Sequence, residues 1–180
     1  MKKIIFIMLL AFLSNFSFSQ AYLGRITKKI NLRDGPGIDY ETIGLLKKGA
    51  QIFIVSLETT NDFYNVIDIS KDKEGYVPRK YVKIGKIIKT NDQDIFTPSG
   101  TTTSYNPEVE VYNNTNLTLT LKLNSSTHSF EPQEKRTLTL APGTISYRAS
   151  APGVIPNIGN QYLNSNEDYT WRFYIATDYK

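Results

Sequence analysis

Residues 31–49 read Asn-Leu-Arg-Asp-Gly-Pro-Gly-Ile-Asp-Tyr-Glu-Thr-Ile-Gly-Leu-Leu-Lys-Lys-Gly. Two glycines bracket Pro36, an apolar run follows, and Lys47-Lys48-Gly49 closes it. Proline fixes φ and glycine admits positive φ, so Gly35-Pro36-Gly37 specifies a loop with its glycines at positive φ, and Gly49 a sharp exchange between strands. Around this loop, residues 24–84 hold short β-rich runs at close spacing, the clearest being QIFIVSLE (51–58), FYNVIDI (63–69) and EGYVP (74–78). Such spacing predicts a small all-β unit.

Outward from that unit the composition changes. Residues 85–107, including the polar run KTNDQDIFTPSGTTTSYNP from 89, carry Pro98, Gly100 and Pro107 without an apolar period, and read as a linker. Beyond it Leu117, Leu119, Leu121 and Leu123 alternate with polar residues, so one strand face must be buried. TLTL (137–140), TISYRASA (144–151) and YTWRFYIA (169–176) repeat the habit. Strands at this spacing predict a β-sandwich over residues 108–177 with a general look of fibronectin-like or immunoglobulin-like modules. Trp171, the only tryptophan, shares a face with Phe173 and Ile175 and is expected in the core, with Tyr147, Tyr169 and Tyr174 on the opposite face.

Lys2 and Lys3 precede an apolar run from Ile4 to Leu13 and small residues at Ser17 and Ser19, so residues 1–19 read as a cleaved signal peptide. The run is too short to span about 30 Å of hydrocarbon, and no membrane span is expected. The chain is therefore expected to be exported, to a periplasm or to the cell exterior. The formal net charge is +4, too weak to point to nucleic acid. It is unevenly spread: residues 21–90 carry 13 basic and 8 acidic side chains, residues 91–180 carry 6 and 9. That change of sign marks two modules. Sequons at Asn113, Asn116 and Asn124 would be glycan acceptors in a eukaryotic secretory pathway.

The pattern of Asn31 to Gly37, Ile43 to Gly49, Phe63-Tyr64-Asn65-Val66 and Gly75-Tyr76-Val77 closely resembles the bacterial SH3 (SH3b) family over residues 24–84. The family usually has tryptophan where this chain has Phe63 and Tyr76. The resemblance implies an SH3-like small barrel with Leu32, Ile43, Leu46, Ile52, Ile54, Val66 and Val77 as its core. Gly75 to Val82 also looks like the closing segment of eukaryotic SH3 domains, which implies a groove for extended peptides from Phe63, Pro78 and Tyr81, with Tyr40 or Tyr64 at its edge. Asp34, Asp39 and Glu41 on the neighbouring loop would steer a cationic peptide.

Catalysis finds little support in the residues. The chain has no cysteine, so it has no thiol nucleophile, thiolate metal site or disulfide. His128 is the only histidine and would need a distant acid and an unmarked serine. The pairs Asp92/Asp94 and Glu108/Glu110 lie in or beside the linker, where solvation explains them. No cofactor and no metal are expected. The expected function is that of an exported non-catalytic binding protein recognising cell-wall peptide or an extended protein segment. The alternatives are a structural or assembly component of a cell-envelope complex and, last, a hydrolase that uses His128.

Overall fold

In the first sheet the strands are β1 (Ala21–Ile26), β2 (Ile30–Arg33), β3 (Thr42–Leu46), β4 (Gln51–Ile54), β5 (Phe63–Asp68), β6 (Lys73–Pro78) and β7 (Val82–Ile88), in the order β3-β2-β6-β5-β4-β1-β7. The computed structural model describes residues 20–89 and 95–175, so the expected signal peptide and Asp92/Asp94 lie outside the described residues. The only helical element described is a 3₁₀ turn at Arg79–Tyr81. Leu46 from one edge strand and Val82 from the other pack in a single cluster with Ile26, Leu32, Ile52, Ile54, Val66 and Val77. The sheet therefore curls on itself into the small barrel expected from the sequence. Ile43 is only half-buried and flanks this core.

The glycines of the opening stretch act in two different ways. Gly49 has φ of 86°, the left-handed conformation that glycine adopts without strain. Gly35 and Gly37 do not take positive φ, contrary to expectation. Gly35 is glycine because a Cβ there would run into the ring of Tyr40, which folds back over both glycines.

The barrel wall is apolar on its outside as well. Register pairs Leu23 with Phe53 and Phe53 with Ile67, an outward stripe across β1, β4 and β5. Leu23, Phe53 and Ile67 cluster with Ala21 and Ile69, all of them buried, and Ile158 from the second half packs against this cluster. Gly153 donates its N–H to the Ile69 carbonyl at 2.7 Å. Arg148, with its side chain only 11% exposed, donates to Glu74 at 2.5 Å, and Lys122 lies 4.0 Å from the same carboxylate. The halves thus share an interface rather than standing apart.

The second half is a sandwich. One sheet has the order β11-β10-β13-β14, from Ser126–Phe130, Leu119–Leu123, Gly143–Ser150 and Asn157–Leu163. The other has the order β12-β9-β15-β8, from Lys135–Thr139, Glu108–Asn113, Glu167–Phe173 and Thr97–Thr101. All pairs are antiparallel except β9 with β15. The leucines of β10 face inward, as their alternation predicts, and Trp171 stacks edge-on between Phe96 and Phe173. Tyr147 and Tyr169 are buried with them, and only Tyr174 is exposed. Tyr169 belongs there by period, since residues 169, 171 and 173 share one strand face.

The linker expectation for 85–107 also needs correction. Residues through Ile88 belong to β7, paired with β1, and Thr97–Thr101 forms β8, an edge strand paired with β15. Every residue of β8 is exposed, so only its backbone reports the pairing and no apolar period betrays it. Just before it, the buried Gln161 side chain accepts from Ile95 and Phe96 N–H and donates to the Phe96 carbonyl. Asn113, at a sequon, is fully buried and donates its amide to the carbonyls of Leu117, Phe130 and Glu131, which removes it as a glycan acceptor.

Candidate peptide-binding groove

The groove is built where β6 ends. Phe63 and Pro78 are cross-strand partners on β5 and β6, and proline there ends the ladder because it has no N–H to give. Opposite them stands the loop 34–41. Asp34 N–H closes it on the Glu41 carbonyl at 3.1 Å, Arg33 donates to the Tyr40 carbonyl at 2.6 Å, and Asn61 donates to the Pro36 carbonyl at 3.2 Å. With the Tyr40 ring seated on Gly35 and Gly37, the loop presents Ile38 outward, 73% exposed.

Ile38 and Pro78 separate two adjoining depressions. One, of about 310 Å³, is lined by Asp62, Phe63, Arg79 and Lys80. The other, of about 480 Å³, is lined by Lys29, Ile30, Asn31, Arg33 and Leu45. The result is an apolar ridge and floor with polar walls on both sides. Asp62 is already paired with Arg79 at 3.2 Å. The lining is thus mostly basic, whereas Asp34, Asp39 and Glu41 are exposed on the loop behind Ile38.

The five residues expected from sequence divide. Phe63, only 8% exposed, is floor, and half-buried Pro78 is shared wall. Tyr40 does not line either depression; it props the loop that carries Ile38. Tyr64 is buried in the barrel core and does not reach the edge of the groove. Tyr81 is half-buried, packs against that core, and lies beneath Lys28 and Lys80, whose ammonium groups stand 5.7 and 5.2 Å from its ring centre. Ile38, which lines both depressions, was not among the residues expected; its mark in the sequence is an isolated apolar side chain between Gly37 and Asp39.

Elsewhere the chemistry-bearing residues stay apart. His128 lies on β11, where burial and then the Arg136 charge hold its pKa below the ordinary value. Among the described residues it makes no hydrogen bond to a serine or a carboxylate, and no three metal-ligating side chains converge. No helix among them is long and apolar enough to cross a membrane.

This barrel, its glycine-proline loop and its closing proline define a module of the SH3 type. Residues 28–83 match the family model described as Bacterial SH3 domain, and the N-terminal module is a bacterial SH3 domain. Comparison with curated proteins and with solved structures gave no match.

Proposed function

We propose that this chain is an exported, non-catalytic binding protein whose SH3 module takes an extended peptide, from the cell wall or from a protein, across the ridge of Ile38 and Pro78. The observation that carries this reading is the groove itself: an exposed isoleucine held beside Pro78, above the Phe63 floor, by a loop with four separate fastenings. Ile38, Leu45 and Pro78 line one depression that no described residue covers, and a contiguous apolar strip with a polar rim, unlike a single exposed side chain, suits a partner. Membership of a family of binding modules supports the same direction. The test is a pull-down of the chain from Gln20 onward against purified peptidoglycan and against a cell-envelope lysate, with Ile38→Asp in parallel. Retention lost with the folded variant supports the groove; equal retention by both proteins refutes it.

A further inference from the structure

One end of the barrel is rich in lysine. Lys28, Lys29, Lys47, Lys48, Lys80 and Lys83 fall on three short segments that touch one another: Thr27 N–H donates to the Tyr81 carbonyl at 2.9 Å, Gly49 N–H donates to the Ile26 carbonyl at 2.7 Å, and Ile26 pairs with Val82. All six lysines are exposed, and none has an ion-pair partner among the described residues. None of the eight acidic side chains of residues 21–90 falls on these three segments, and Asp62, which lines a depression with Lys80, is already paired with Arg79. Like charges gathered without counter-charges destabilise a compact state by mutual repulsion, so a partner that neutralises them is favoured.

We propose that this lysine-bearing end of the barrel docks on an anionic phospholipid surface. Lysine is a point charge on a flexible stem, without the rigid fork by which arginine clasps one compact anion. Lys83 stands on β7 and the other five lie between strands, and of the six only Lys29 and Lys80 border the groove. Such an array suits charge spread over a plane, where each basic residue contributes to attraction independently of fixed geometry. Leu45, 45% exposed and two residues before Lys47, adds an apolar contact at the margin. The sandwich covers the outer face of β1, β4 and β5 and leaves these lysines open.

The test is co-sedimentation of the chain from Gln20 onward with vesicles of phosphatidylcholine alone and of phosphatidylcholine with about 30% phosphatidylglycerol, an anionic fraction that gives a negative surface potential. Binding is expected to the anionic vesicles only, and to be lost at about 0.5 M salt, where the screening length is a few ångströms. At about fivefold in affinity per lysine, reversing Lys28, Lys29, Lys47 and Lys48 to glutamate should weaken it more than a hundredfold. Unchanged circular dichroism would show that variant to be folded; if it is not, the same four positions changed to glutamine carry the test. Equal binding to neutral vesicles, no vesicle binding, or capture by a soluble polyanion without vesicle binding would each overturn the proposal.

Discussion

Glu74 of the barrel and Arg148 of the sandwich meet at 2.5 Å, and Asn65 donates a second hydrogen bond to the same carboxylate at 2.9 Å. Burial alone would push the Glu74 carboxyl up, but the Arg148 charge and hydrogen bond, with Asn65 and Lys122, outweigh it and hold the carboxyl below the usual glutamate range. A carboxylate with a depressed folded pKa contributes stability that is fully present above its unfolded value, about 4.3, and is lost as pH falls through the folded value. Arg148→Ala should therefore lower stability near neutral pH by about 2 kcal/mol, and the difference from the unaltered chain should shrink below about pH 4. Urea melts at pH 7 and pH 3 measure both.

The shared interface predicts one unfolding event rather than two. Phe53 and Ile67 are buried on the outside of the barrel wall, so separating the halves would expose them. Calorimetry should give a single transition for the chain, and residues 20–89 expressed alone should melt below it. Two independent transitions would show that the interface contributes little.

Gly35 yields a prediction about packing rather than backbone strain. Gly35→Ala should destabilise the module by about 1 to 3 kcal/mol, the usual cost of overpacking, because the new Cβ meets the Tyr40 ring. In a Tyr40→Ala background that cost should largely vanish, a non-additivity that thermal melts of the four proteins can read.

Asn113 ties β9 to the loop before β10. Besides its three amide contacts, its carbonyl accepts from the Thr115 hydroxyl at 2.8 Å. Asn113→Ala leaves several buried groups unpaired and should cost about 3 kcal/mol, measurable by urea denaturation.

How far the sequence could be read follows from what leaves a periodic mark. Leu119, Leu121 and Leu123 alternate and were legible as one buried face; the barrel core was legible through the spacing of Leu32, Leu46 and Val66 within a recognisable family pattern. QIFIV and FYNVIDI were informative in a way that alternation alone does not capture: β4 is buried on both faces because a second layer covers it, and continuous apolar runs are the sign of such strands. β8 left no mark, since an exposed edge strand pairs through its backbone. Of the five residues read as a groove, only Phe63 and Pro78 line a depression in the structure. Tyr64 and Tyr81 were read as lining because a tyrosine in a small barrel serves equally as core or rim, and only packing distinguishes the two.

Whether a peptide crosses the Ile38-Pro78 ridge is tested most directly by amide chemical-shift mapping with soluble peptidoglycan fragments and with proline-rich peptides. Perturbations concentrated at Ile38, Asp62, Phe63 and Arg79, and abolished by Ile38→Asp in a folded protein, are the predicted result. No perturbation with either ligand class, or shifts confined to the sandwich, would contradict the account.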